Sequence, residues 1–88
     1  MAEQSLIAKV DPIYPPLALQ ARISGTVRFN ILIGKDGRVS SVRLVSGHPL
    51  LVEAARQALQ LWTYRTTLLN GEPVEVLTQV EVRFALPN

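Results

Sequence analysis

The sequence contains no cysteine, which excludes disulfides, zinc knuckles and thiol chemistry. Its single histidine, His48, is followed by Pro49 at a predicted helix start, where a capping role is typical, so nucleophilic dyads and transition-metal sites lack their usual parts. No pair of carboxylates shares a site either, because Glu75 and Glu81 lie about 20 Å apart along one predicted strand. We therefore expect no enzymatic activity, no metal and no cofactor.

Long apolar runs are also absent, since the longest uninterrupted apolar stretch is far shorter than the roughly 20 residues that a membrane-spanning helix needs. Residues Met1 to Gln4 do not resemble a signal peptide. The chain is then expected to be either cytosolic or a fragment whose targeting elements lie upstream. The lack of cysteine fits both the cytoplasm and the periplasm.

Neither positive nor negative charge dominates, because nine basic and seven acidic residues give a net charge of +2 without a run of like charges. Arg28, Arg43 and Arg83 are predicted to share the solvent-facing side of a sheet. RNA-binding sheets stack bases on exposed aromatic rings, whereas Phe29 and Phe84 fall on the apolar side here. We expect no nucleic-acid partner.

Hydrophobic residues make up 48% of the 88 residues, a composition typical of one small folded domain. We assign residues 1–11 to an extended N-terminal segment and residues 12–88 to the domain. Five elements are predicted: a short helix Pro16 to Arg22, a strand from Thr26 to Ile33, a return strand Val39 to Ser46, a long helix from Pro49 to Trp62, and a strand Val74 to Leu86.

Two periodicities support these elements. The first strand alternates with period two, and the odd spacing of apolar residues in the return strand predicts a bulge near Ser40 and Ser41. In the long helix one apolar stripe recurs at helical period. Its members are Leu51, Ala54, Ala55, Ala58, Leu61 and Trp62.

The predicted fold is α+β, a three-stranded antiparallel sheet with strand order 2-1-3 and two helices packed on one face. Asp36-Gly37 favours a hairpin between the first two strands, and the third strand is expected to pair antiparallel with the first. Its other side then has no neighbour. This third strand, predicted to span thirteen residues, is longer than either hairpin strand, and its prolines, Pro73 and Pro87, lie only at its ends.

Unpaired N–H and C=O groups along such an edge recruit other chains, so the third strand is a candidate for strand addition. Two other outcomes stay open. The stretch Ser5 to Val10 could fold back and cover the edge, or the edge could simply be solvated.

The motifs of the chain resemble those of a known family, the C-terminal domain of TonB-type energy transducers. In order they are Tyr14-Pro15 with Ala18, Gly25-Thr26-Val27, Asp36-Gly37-Arg38-Val39, Ser46-Gly47 before Leu51, Ala54-Ala55 leading to Trp62-Thr63-Tyr64, Asn70-Gly71-Glu72-Pro73-Val74, and Val82-Arg83-Phe84. The resemblance covers most of the chain, and the order and spacing of the motifs are more specific than any one of them.

The resemblance implies a periplasmic, non-enzymatic domain of a protein anchored in the inner membrane of a Gram-negative bacterium. It implies that the missing N-terminal part joins the ExbB and ExbD proton-driven complex, and that the domain captures the TonB box of an outer-membrane transporter by strand addition. The implied docking residues are Val76, Leu77, Thr78, Gln79, Val80, Glu81, Val82 and Arg83, with Tyr14 and Pro15 near the partner. The alternative function is self-association, in which the third strands of two chains pair or exchange as a homodimer.

Overall fold

The structure, a computed structural model, describes residues 6–87. The expectations for Met1 to Gln4, and for the first residue of the segment Ser5 to Val10, lie outside the described residues. In chain order the elements are β1 (Leu6–Ala8), α1 (Pro16–Gln20), β2 (Gly25–Ile33), β3 (Val39–Ser46), α2 (Pro49–Leu59), β4 (Thr63–Tyr64), β5 (Thr67–Leu69), β6 (Glu72–Val74) and β7 (Val76–Phe84).

The central sheet has the strand order β3-β2-β7, and both pairings are antiparallel. This is the predicted α+β arrangement, with β7 as the third strand of the predicted order. α2 packs on β2 and β3, and α1 contacts α2. Neither helix within residues 6–87 has the length and apolar composition needed to cross a membrane.

The core lies between the central sheet and the helices, because alternate residues of β2 point to that side. Its members are Ala18, Val27, Phe29, Ile31, Ile33, Leu51, Ala55, Leu59, Trp62, Tyr64, Val82 and Phe84. Burial raises the pKa of the Tyr64 phenol above its ordinary value of 10.0. The burial of Val27, Phe29, Ile31 and Ile33 confirms the predicted apolar face of β2.

The long helix is shorter than predicted, because α2 ends at Leu59 and not at Trp62. Helical spacing does not continue beyond its end, so Leu61 is 64% exposed and the prediction that it joins the apolar stripe is wrong. Leu59 is buried instead. His48 caps the helix, since its Nδ1 accepts a hydrogen bond from the backbone N–H of Leu50 at 3.1 Å. α1 also ends early, at Gln20, because Arg22 has a φ of 55°.

The third strand is also shorter than the predicted range Val74 to Leu86, since β7 has nine residues. Residues ahead of it belong to a separate hairpin, in which β5 and β6 pair around Asn70 and Gly71. Both turn residues have positive φ, 53° and 80°, as a two-residue type I′ turn requires. β2 also has nine residues, so the prediction that the third strand is longer than both hairpin strands is wrong.

The predicted bulge in β3 is confirmed. Leu32 pairs with Ser41 and Ile33 pairs with Val39, which leaves Ser40 without a partner residue on β2. The hydroxyl of Ser40 donates a hydrogen bond to the carbonyl of Leu32 at 3.2 Å, which holds the extra residue against the neighbouring strand.

The N-terminal segment does not pair with the third strand, an outcome that the sequence had left open. β1 pairs antiparallel with β4, the two-residue strand that follows α2, and not with β7. The indole Nε1 of Trp62 donates to the carbonyl of Val10 at 2.9 Å, and Lys9 lies over the same ring at 5.6 Å. These contacts hold the segment beside the end of α2, so the described residues of the segment Ser5 to Val10 do not cover the third strand.

Candidate functional site

The outer side of β7 is an open sheet edge among residues 6–87, because β2 is the one strand that pairs with β7 there. The pairing with β2 runs through nine successive residue pairs, from Gly25 opposite Phe84 to Ile33 opposite Val76, without a register shift. A strand without bulges presents its outward N–H and C=O groups in one regular row. We call this row, on residues 76–83, the β7 edge.

The structure places the eight predicted docking residues together on β7. On the side that faces the helices, burial increases along the strand. Val76, Thr78 and Val80 are half-buried, whereas Val82 is buried. On the solvent-facing side all four residues, Leu77, Gln79, Glu81 and Arg83, are exposed.

Two of the solvent-facing side chains of β7 already have partners on β2. Glu81 accepts a hydrogen bond from Nε of Arg28 at 2.6 Å, and both side chains are about half exposed. Gln79 donates from Nε2 to Oδ1 of Asn30 at 3.4 Å. These contacts lie across the β2–β7 pair, and they leave the backbone of the outer side uninvolved.

The opposite edge of the sheet, on β3, is irregular and partly occupied. β3 carries the bulge at Ser40 and a second register shift at Val45, between the pairs Arg28–Ser46 and Phe29–Leu44. Arg56 of α2 donates from Nη1 to the carbonyl of Val42 at 3.2 Å. Bulges and side-chain hydrogen bonds are common means of protecting an edge strand, so β7 is the better template for an added strand.

Sequence reasoning missed this role of Arg56. Arg56 lies outside the predicted apolar stripe of the long helix, yet its side chain is half-buried and its guanidinium lies 5.7 Å from the centre of the Phe29 ring. A long arginine stem can cross apolar surface and still deliver its charged group to a carbonyl. The helical period could not have revealed it, because the contact depends on where α2 crosses β3.

Tyr14 and Pro15, the predicted partner contacts, face different surroundings. The Tyr14 ring packs edge to face on Phe84, the last residue of β7, with 5.3 Å between ring centres, and its hydroxyl donates to the carbonyl of Ile23. Pro15 lines a groove of about 410 Å³ beside α2. Tyr14 therefore supports the C-terminal end of β7, whereas Pro15 lies with α2.

That groove was not predicted from the sequence. Its lining consists of Val10, Asp11, Pro12, Ile13 and Pro15 on one side and Leu50, Glu53, Ala54, Gln57, Ala58 and Leu61 on the other. Ile13 is 84% exposed. A second hollow, of about 600 Å³, lies on the solvent-facing side of the central sheet and includes Leu77, Thr78 and Gln79 in its lining.

The sequence profile of the family described as Gram-negative bacterial TonB protein C-terminal matches residues 10–86. Protein TonB of Vibrio cholerae serotype O1 is 32% identical to the chain over 81 residues, which are 90% of the chain and 33% of that relative. Protein TonB of Klebsiella pneumoniae is 33% identical over 61 residues, or 67% of the chain and 25% of the relative. The chain thus spans about a third or less of the length of these relatives.

Two solved structures have a similar fold. The solution NMR structure of the Pseudomonas aeruginosa TonB C-terminal domain superimposes with a TM-score of 0.78 at 24% identity, covering 100% of the chain and 91% of that structure. A structure of the TonB2 protein from Vibrio anguillarum gives a TM-score of 0.70 at 26% identity, covering 100% and 88%. At 24% identity, the similarity to the Pseudomonas aeruginosa structure is evidence for the fold alone.

Proposed function

The chain belongs to the family of Gram-negative bacterial TonB protein C-terminal domains, and on that premise we propose that it captures the TonB box of an outer-membrane transporter as an added strand on the β7 edge. The domain acts without enzymatic chemistry. A force applied through the domain to the captured segment then couples the proton motive force to transport.

One observation carries the proposal: the contrast between the two edges of the central sheet. β7 offers a regular row of backbone groups, whereas β3 has two register shifts and a carbonyl that already accepts from Arg56. In strand addition the backbone hydrogen bonds provide affinity, and alternate side chains provide specificity. A free, regular edge is what this mode of binding requires.

We extend the energy-transducing role of the family to the whole protein. Residues 12–88 form the binding domain, and residues 1–11 lead into it from an upstream region that crosses the inner membrane and engages the ExbB and ExbD complex. The domain itself works in the periplasm. Tyr14 stabilises the end of the docking strand through its contact with Phe84. Pro15 lines the groove beside α2 and is not part of the proposed docking site.

A titration tests the docking site. The ¹⁵N-labelled chain is titrated with TonB-box peptides from transporters of the same organism, and backbone amide shifts are followed. We expect the largest shifts between Val76 and Arg83, and small shifts along Val39–Ser46, which is the internal control on the other edge. Shifts centred on β3, on the groove beside α2, or absent from the chain would refute the assignment.

The second candidate function, self-association, rests on the same free edge, since two copies of β7 could pair across a twofold axis. Light scattering over a dilution series separates the two functions. We expect a monomer that binds peptide. A dimer that persists on dilution and protects the β7 amides would instead favour self-association.

A further inference from the structure

The solvent-facing side chains of β7 differ in what they already contact. Gln79 and Glu81, in the middle of the strand, are engaged by Asn30 and Arg28 of β2. Within residues 6–87 the side chains at the two ends, Leu77 and Arg83, make no such polar contact, and Leu77 lies opposite the apolar Leu32. Arg83 makes no ion pair within residues 6–87, and its cross-strand neighbour on β2 is Thr26, which is uncharged. Leu77 is 77% exposed.

An added strand would bring its own side chains next to these two. Residues directly opposite each other on neighbouring strands have Cβ atoms about 4.5–5.5 Å apart, so an unpaired arginine and an exposed leucine would each meet one guest residue. Leu77 and Arg83 lie on the same side of β7 and six residues apart, roughly 20 Å along the strand. The two guest residues would therefore share one side and the same spacing.

On this basis we propose that the β7 edge selects guest strands that carry an acidic residue opposite Arg83 and, six positions away on the same side, an apolar residue opposite Leu77. The inference rests on the proposed function and adds the chemistry of the guest to it. Glu75, which is exposed and directly precedes β7, repels a guest whose acidic residue lies at the Leu77 end. The residues between the two anchors face side chains that β2 already satisfies, so they contribute less to selection.

The test uses capped heptapeptides and fluorescence anisotropy at low salt, where the Debye length is about 30 Å. The parent peptide is Asp-Val-Thr-Val-Thr-Val-Leu, and its retro-sequence pairs in the opposite direction, so the tighter binder of the two sets the orientation. In that peptide the Asp is then replaced by Asn or by Lys. Binding is measured to the wild-type chain, to Arg83→Glu, and to Arg43→Glu as the control on the β3 edge.

We expect the wild type to bind the Asp peptide up to about fivefold more tightly than the Asn peptide, and the Lys peptide most weakly. Arg83→Glu should reverse this order, whereas Arg43→Glu should keep it. Replacing the peptide Leu by Ser should weaken binding about threefold in the wild type and less in Leu77→Ser. If Arg83→Glu leaves the order of peptide affinities unchanged, or if all peptides bind equally well, the inference is wrong.

The same experiment separates this inference from the proposed function. If natural TonB-box peptides shift the β7 amides but the charge order is absent, the inference is wrong and the docking site stands. If neither the natural nor the designed peptides bind at β7, both are wrong. A reversal of the order by Arg43→Glu would place the guest on the β3 edge and would also overturn both.

Discussion

Replacing Gly37 by alanine is expected to lower the free energy of unfolding by about 2–5 kcal/mol. Gly37 lies in the loop between β2 and β3 with a φ of +84°, and a Cβ atom built there would lie 2.0 Å from the carbonyl oxygen of Tyr64. Because this oxygen belongs to the backbone, it cannot move aside by a change of side-chain rotamer. The backbone N–H of Tyr64 also donates to the carbonyl of Gly37 at 2.8 Å, so the loop and β4 are held together where the collision would occur.

Gly71 is the matched control for this prediction. Its φ of +80° is nearly the same, but a Cβ atom there would have no heavy atom within 4 Å. Gly71→Ala should therefore show only the cost of the left-handed backbone, about 1–2 kcal/mol. Urea denaturation of both variants measures the difference. Equal losses of stability would show that the loop does not pack against Tyr64 as described.

Proline placed in β7 is expected to weaken peptide binding strongly at one position and to destabilise the fold at the neighbouring position. Consecutive residues of a strand direct their backbone groups to opposite sides, so of Gln79 and Val80 one N–H points to β2 and the other points outward. Proline at the outward position removes a donor that a guest needs, and edge positions tolerate proline. Proline at the inward position removes a hydrogen bond to β2 and destabilises the sheet.

The expected result is one folded variant whose affinity for a TonB-box peptide falls about tenfold or more, and one variant with reduced thermal stability. Gln79→Ala and Val80→Ala control for the lost side chains, which matters because Gln79 contacts Asn30. Circular dichroism reports the fold and anisotropy reports binding. If both proline variants fold and bind like the wild type, the guest does not use the backbone of β7.

Periodicity predicted the central sheet well because its pattern is physical and local. The alternation of Val27, Phe29, Ile31 and Ile33 follows directly from one buried face, and the structure confirms it. The same rule could not locate the start of β7. Val74 and Val76 continue one alternation in the sequence, but Val74 pairs with Thr67 and Val76 with Ile33, so the partner changes while the period does not.

Long-range contacts could not be predicted from the sequence for a similar reason. The pairing of β1 with β4 depends on where α2 ends, and the helical stripe did not reveal that the last turn stops at Leu59. The hydrogen bond from Arg56 to Val42 depends on the crossing of α2 over β3. A third strand with one open side within residues 6–87 could be predicted from the order of the elements, whereas the protection of the other edge required the structure.

Amide hydrogen exchange along β7, with and without a TonB-box peptide, tests strand addition most directly. In the free chain the N–H groups bonded to β2 are protected and the outward ones exchange quickly. We expect the peptide to slow exchange at every second residue between Val76 and Arg83 and to leave exchange along β3 unchanged. Slower exchange along β3, uniform protection of both edges, or no change along β7 would contradict it.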